Sequence, residues 1–181
     1  MDALKAEGVN AAMVYTGQTG AVQTGGYGFI FDSTLNDFVA GEMEKAIVDC
    51  YNEQNPDVIL LEGQAALFNP SGPCGSEYLI SANAKHVILQ HAPARLYYEG
   101  WEHLELKIQP IEKTIQLIEL YDSKVIGICL NGGPDDHSPA LSKEEMNDFK
   151  TTYQQQFEVP VINPLKDDLK EMLSVIRKII N

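Results

Sequence analysis

Three observations in the sequence predict an α/β fold with a three-layer, mostly parallel sheet. Short apolar runs recur at Ala11–Tyr15, Asp57–Glu62, His86–Gln90, Lys124–Leu130 and Val159–Ile162. The stretches between them carry helical apolar spacing or are long enough to hold a helix, so the repeating unit is strand, crossover, parallel strand. Polar residues, Thr16, Glu62, His91 and Asn131, follow the strands, and in open α/β sheets ligands bind outside the carboxyl ends of the strands. No repeat, low-complexity tract or linker interrupts the pattern, so residues 1–181 are expected to form a single α/β domain.

The strand at 57–62 is expected at the centre. Four apolar residues, Val58-Ile-Leu-Leu61, enter through Asn55-Pro56 and leave through Gly63, which reads as a strand buried on both faces. It ends in Glu62, with Gln64 just beyond, at the level where chemistry is usually done; an acid after a strand also serves simply as a solvated loop residue.

Composition excludes several partners. The net charge is -13 and no Lys or Arg run offsets it, so nucleic acid and an anionic membrane are not expected as partners. With 44% hydrophobic and 22% charged residues the chain is an ordinary globular one. No apolar run approaches bilayer length and the start lacks a signal-peptide core, which points to the cytoplasm. The cysteines, Cys50, Cys74 and Cys129, are odd in number and have no metal-ligand spacing; Cys50 and Cys129 read as core residues in a reducing compartment. No metal site is expected. The two arginines are Arg95 and Arg177, so an anionic substrate falls mostly to backbone N–H groups, a few lysines or a metal, and Arg95 is the arginine to watch.

Taken in order, Met1–Glu7 are helix formers that stop at Gly8, like the closing turns of a helix. The first strand runs into Thr16, Gly17, Gln18, Thr19 and Gly20, a small and polar loop that can bring amides to an anion or serve only as a turn. Asp32–Asn36 offer caps for a helix over about 36–53 with Val39, Met43, Ala46, Ile47 and Cys50 on one face. Asp37 in its first turn favours the helix dipole, or faces a ligand or Mg²⁺. Ser71, Gly72 and Gly75 precede a short helix and are candidate anion-binding amides. His91 is the histidine suited to proton transfer, because imidazole titrates near neutrality, or else it hydrogen-bonds a carbonyl. His86, His103 and His137 show no ligand spacing. Residues 96–108, with Tyr97, Tyr98 and Trp101, are expected to pack over the sheet as a lid or connection. Pro110 opens a helix to about Tyr121. Asn131 reads an amide or a purine edge, or ties down its turn. Ser142 and Glu145 form a capping box before a helix showing Met146, Phe149, Tyr153 and Phe157. Pro160 places the last strand at an edge, and a final helix spans about 167–180.

Val14-Tyr-Thr-Gly-Gln-Thr-Gly20, Asn36-Asp-Phe-Val-Ala-Gly41, Ile59-Leu-Leu-Glu-Gly-Gln64, Asn69-Pro-Ser-Gly72 and Ile88-Leu-Gln-His-Ala-Pro93 together resemble the C-terminal domain of the D-glutamate N-acetyltransferase-like family, long catalogued as a domain of unknown function. The resemblance covers about residues 9–165. It implies a P-loop NTPase-like fold of the dethiobiotin-synthetase type, yet nothing here matches Gly-x-x-x-x-Gly-Lys-Ser/Thr, so the P-loop strand and helix are lacking. It implies that the chain is the C-terminal portion of a longer protein. The missing N-terminal portion, or a second copy in a homo-oligomer, would then cover a gap whose unpaired backbone groups cost about 1–3 kcal/mol each.

The activity implied by the resemblance is transfer of an acetyl group from acetyl-CoA to the amino group of D-glutamate. Glu62 or His91 then takes the amine proton, amides in Thr16–Gly20 or Ser71–Gly75 serve the oxyanion or a phosphate, and Arg95 clamps a carboxylate. Two other readings stand beside it. One is an ATP- and Mg²⁺-dependent ligase or kinase-like enzyme, with Glu62 and Asp37 organising the metal. The other is a non-catalytic domain that binds a partner through an exposed sheet edge.

Overall fold

The computed structural model of the chain describes residues 1–72, 75–135 and 138–180; Cys74 and His137 therefore lie outside the described residues. The chain is α/β with parallel strands, and it divides into two compact units, residues 1–84 with 177–181, and residues 85–176. Each unit holds one three-stranded sheet.

In the first unit, α1 (Asp2–Ala6) ends before Gly8, whose φ of 83° suits the residue without a Cβ. β1 (Ala11–Tyr15) lies between β2 (Tyr27–Gly28) and β3 (Val58–Leu61), parallel to both. Its register sets Val14 opposite Leu61. The core joins Ala12 and Val14 of β1, Phe29, Tyr78, and Val39, Met43, Ala46 and Cys50 of α3 (Asn36–Gln54). These α3 positions are the predicted helical face, with Ile47 half-buried beside it. The predicted caps are not used. Phe31–Ser33 form a 3-10 turn, the Ser33 and Thr34 hydroxyls donate back to the Ile30 carbonyl at 3.1 and 2.8 Å, and Leu35 takes the cap position without a side-chain bond. The stretch expected to be a loop after β1 also differs: Gln18–Thr24 form α2, closed by Gly25 at φ 58°. The short helix after the proline-bearing loop is α4 (Gly75–Ile80).

The expected central strand is the largest difference. Among the described residues β3 pairs with β1 alone, and each of its four residues is half-buried. A run of four apolar residues cannot distinguish a strand paired on both sides from one paired on a single side.

In the second unit β5 (Lys124–Leu130) lies between β4 (His86–His91) and β6 (Val161–Ile162), again parallel to both. β5 is buried from Val125 to Leu130. β6 is an edge, and Pro160 contributes only its carbonyl, which accepts the Ile128 N–H at 2.9 Å. Helices α5 (Ile111–Leu120) and α6 (Lys143–Phe157) bury Ile111, Ile118 and Met146. Residues 96–108 close on themselves through the antiparallel bridge Tyr97–Lys107, the Tyr98 N–H to Leu106 carbonyl bond and the Ile108 N–H to Leu96 carbonyl bond. α7 (Lys170–Ile180) starts later than predicted. The Asp167 carboxylate is occupied by the Asn163 N–H at 2.7 Å and Lys150 at 2.6 Å, and Asp168 accepts the Lys170 N–H at 2.9 Å. Among the described residues no helix is long and apolar enough to cross a membrane.

The capping box at α6 forms as read: the Ser142 hydroxyl accepts the Glu145 N–H at 3.2 Å, and the Glu145 carboxylate accepts the Ser142 N–H at 2.9 Å. Ser142→Ala is expected to destabilise the protein by about 1 kcal/mol, read as a lower urea midpoint at unchanged slope.

Candidate functional site

The parallel register of β1 and β3 carries Thr16 and Glu62 out of adjacent strand ends. The Glu62 N–H donates to the Val14 carbonyl at 3.0 Å, continuing the ladder one step. Beyond it the side chains take over. The Thr16 N–H donates to the Glu62 carboxylate at 3.1 Å, and the Thr16 hydroxyl donates to the Glu62 carbonyl at 2.8 Å. That hydroxyl also lies 2.7 Å from the Tyr78 hydroxyl; its one hydrogen being committed to Glu62, Tyr78 is the donor there. The Thr16 carbonyl accepts from the Phe31 N–H at 2.9 Å and from the Gln64 side-chain amide. Thr16 is 0% exposed. Its polar atoms are spent on holding the turn, and none faces solvent.

The candidates of the first unit thus fall into three places. Glu62, Gln64, Thr16, Gly17 and Gly20 meet at one point. Gly17 caps α2 in an extended conformation, and a Cβ on it would stand 2.8 Å from the Gln64 amide. Gln18 and Thr19 follow as the first residues of α2. A Cβ on Gly20 would overlap the Glu62 carboxylate and stand 2.7 Å from the Tyr15 Cβ, so glycine sits mid-helix here because the acid needs the space. Ser71 and Gly72 form a separate turn, their N–H groups donating to the Asn69 side chain at 2.9 Å and to its carbonyl at 3.2 Å. These two amides are already used locally; part of the Ser71–Gly75 segment lies outside the described residues. Asp37 is an exposed residue in the first turn of α3.

The second unit holds His91, Arg95 and Asn131. His91 is the last residue of β4 rather than the residue after it, paired with Leu130, and its carbonyl accepts the Asn131 N–H at 2.8 Å. Burial pushes its imidazole pKa down, with the Glu112 carboxylate pulling weakly the other way. The ring is met edge-on by Tyr153, centroids 5.8 Å apart, with Nε2 3.5 Å from the Tyr153 hydroxyl. Asn131 ties down its turn: its side-chain oxygen accepts the Gly133 N–H at 2.9 Å. Arg95 Nε, a buried atom, lies 3.3 Å from the Asp135 carboxylate and makes no hydrogen bond among the described residues. A cavity of about 190 Å³ opens beside it, with Tyr97, Glu99 and Glu102 on its wall. Arg95 and Asp135 both line this cavity. Among the described residues no group of three or more His, Cys, Asp or Glu could hold a metal ion.

Sequence reasoning did not single out Tyr78, Tyr153 or Glu112. Tyr153 stands at helical spacing with Phe149 and Phe157, a pattern that marks a core stripe and conceals a polar tip.

A family model described as a domain of unknown function (DUF1611_C), P-loop domain, matches residues 1–173. A Pseudoalteromonas protein named D-glutamate N-acetyltransferase is 27% identical over 179 residues, covering 95% of this chain and 50% of that protein. The crystal structure of a DUF1611 family protein from Anabaena variabilis matches with a TM-score of 0.81 at 22% identity, over 97% of this chain and 50% of that one; at this identity the likeness shows the fold alone. The chain spans about half the length of the curated relative it matches.

Two measurements probe these arrangements. Gly20→Ala is expected to destabilise by about 1–3 kcal/mol in urea unfolding, although alanine is the better helix former by about 1 kcal/mol. Because His91 titrates below its ordinary 6.5 in the folded state, the folded form takes up its proton later than the unfolded one. Its contribution to stability is therefore present above that ordinary value and is lost as pH falls through the folded pKa. His91→Gln should flatten this acid-side decline in unfolding free energy measured against pH.

Proposed function

The chain belongs to the DUF1611 family of P-loop domains, and on that premise we propose that it forms part of an N-acetyltransferase moving an acetyl group from acetyl-CoA to the amino group of D-glutamate. The observation that carries the reading is the likeness to the Pseudoalteromonas D-glutamate N-acetyltransferase, which runs through 95% of this chain.

The reaction needs a base. The substrate amine is an ammonium ion at neutral pH and must lose a proton before its lone pair can attack the thioester carbon. Attack forms the C–N bond and moves the carbonyl electron pair onto oxygen. Collapse then breaks the C–S bond, the nitrogen gives up the extra proton it carries after attack, the departing coenzyme A thiolate takes one up, and the products are the amide and the free thiol. In this reading His91 is the base, because a partly desolvated imidazole with a lowered pKa is neutral at physiological pH and free to accept. Arg95, which lines the cavity, holds a substrate carboxylate. Glu62, whose carboxylate already accepts the Thr16 N–H, shapes the turn between β1 and α2.

The P-loop description supports one competing reading, an ATP- and Mg²⁺-dependent ligase in which Glu62 and Asp37 would face the metal. The test is an assay of the protein that carries this chain with acetyl-CoA and D-glutamate and no nucleotide. Equal amounts of N-acetylated product and free thiol are expected. Product that forms only with ATP and Mg²⁺, with release of ADP or AMP, overturns the transferase reading in favour of the ligase. His91→Ala is expected to lower kcat on the order of a hundredfold or more, and the wild-type limb due to His91 should rise with pH through a midpoint below 6.5.

A further inference from the structure

Around His91 the second unit builds more than a strand end needs. Tyr153 reaches the imidazole from α6, with its ring edge-on and its hydroxyl at 3.5 Å from Nε2. The tyrosine is held on both sides along its own helix: Phe149 and Phe157, one turn before and one turn after, each place their rings 5.9 Å from it. From α5, the negative charge of Glu112 acts on both groups, favouring the protonated imidazole and disfavouring the phenolate. Glu112 is in turn tied to α6, accepting from the Gln156 side chain at 2.9 Å. The imidazole, the phenol and the carboxylate therefore come from three different elements to one place.

We propose that Tyr153 is a positioning residue for His91: its hydroxyl oxygen accepts the imidazole Nε2–H and so leaves Nδ1 as the nitrogen that takes up a proton. This rests on the reading of His91 as the base. The polarity of the contact follows from what happens when the ring is protonated. Both ring nitrogens of an imidazolium are donors, so a hydroxyl that donated to Nε2 would occupy the accepting nitrogen and would have to swing its hydrogen away each time His91 took up a proton there. A tyrosine that already accepts from Nε2 stays in place through the cycle, and Glu112 stabilises the charge that appears. This is the arrangement in which a base is oriented by a third group through its other nitrogen. The contact sits at the long end of the hydrogen-bond range, as catalytic contacts do before substrate binds.

The test is ¹⁵N NMR of the histidine ring nitrogens in the protein that carries this chain, followed through a pH titration, with the His91 signals assigned by their loss in His91→Gln. In the wild type the proton is expected on Nε2 at high pH, with Nδ1 showing the shift of an unprotonated nitrogen. Tyr153→Phe, which removes one oxygen and leaves the ring stack intact, should move both nitrogens toward the average of the two tautomers and lower the His91 midpoint. Glu112→Gln should lower that midpoint while leaving the Nε2 tautomer in place. In the acetyl-transfer assay Tyr153→Phe should reduce kcat on the order of tenfold with KM for acetyl-CoA unchanged. A wild-type proton on Nδ1, or a Tyr153→Phe titration that superposes on the wild type, overturns the assignment; the wild-type tautomer decides the matter alone if the variant fails to fold. The NMR readout needs no substrate, so absence of acetyl transfer with the expected tautomer counts against the reaction and not against Tyr153.

Discussion

A residue out of contact with water must find partners inside the protein for its polar atoms, and Thr16 meets that demand by drawing four segments of chain to one point. Its N–H goes to the Glu62 carboxylate after β3, its hydroxyl to the Glu62 carbonyl and to Tyr78 of α4, and its carbonyl to Phe31 and Gln64. Each bond taken singly is worth about 1 kcal/mol net, but leaving any of these buried groups unpaired costs about 1–3 kcal/mol. The penalty, more than the gain, fixes the geometry. Glu62 cannot leave its position without orphaning the Thr16 amide, and Gly20 cannot carry a side chain without displacing Glu62. The carboxyl edge of the first sheet is therefore a rigid unit whose parts constrain one another.

The two sheets show how pairing, rather than apolar sequence, decides which strand is central. Among the described residues β5 has a neighbour on each side and is buried from Val125 to Leu130, whereas β3 has one neighbour and remains half-buried throughout. The two runs look alike in sequence, Val58-Ile-Leu-Leu61 against Val125-Ile-Gly-Ile-Cys-Leu130. The glycine inside β5 carries the distinguishing information: a Cβ on Gly127 would overlap the Met172 side chain. Glycine in a strand interior weakens it unless something needs to come close, and here a methionine of α7 does.

The same contrast explains what could be read in the chain and what could not. Helices α3, α5 and α6 were legible because their signals are local: apolar positions one turn apart, Pro110 before Ile111, and the Ser142 and Glu145 pair. β2 left no signal, since two residues held by main-chain bonds to β1 carry no periodicity. Thr16–Gly20 read as a loop because they are small and polar and a glycine argues against helix, and the contact that makes Gly20 useful lies forty-two residues away at Glu62. Thr16, Glu62, His91 and Asn131 were legible as polar groups after strands. Tyr78 and Phe31 beside Thr16, and Tyr153 beside His91, were not, because they depend on which helix or turn packs where.

The environments of Glu62 and His91 separate two roles that the sequence leaves interchangeable. A carboxylate that accepts a backbone N–H and abuts a glycine is fixed in position, and any proton it took would act against the bond to the Thr16 amide that holds the turn. The imidazole is in the opposite condition. Burial removes its charge rather than fixing it, which leaves an uncharged ring with a free lone pair, and the nearby Glu112 compensates the charge that would appear on accepting a proton. Proton uptake at Glu62 would weaken the scaffold, whereas proton uptake at His91 leaves the strand pairing of β4 untouched, since that pairing uses only main-chain atoms. On physical grounds the acid serves the architecture, and the proposed role as base suits the histidine better than the acid.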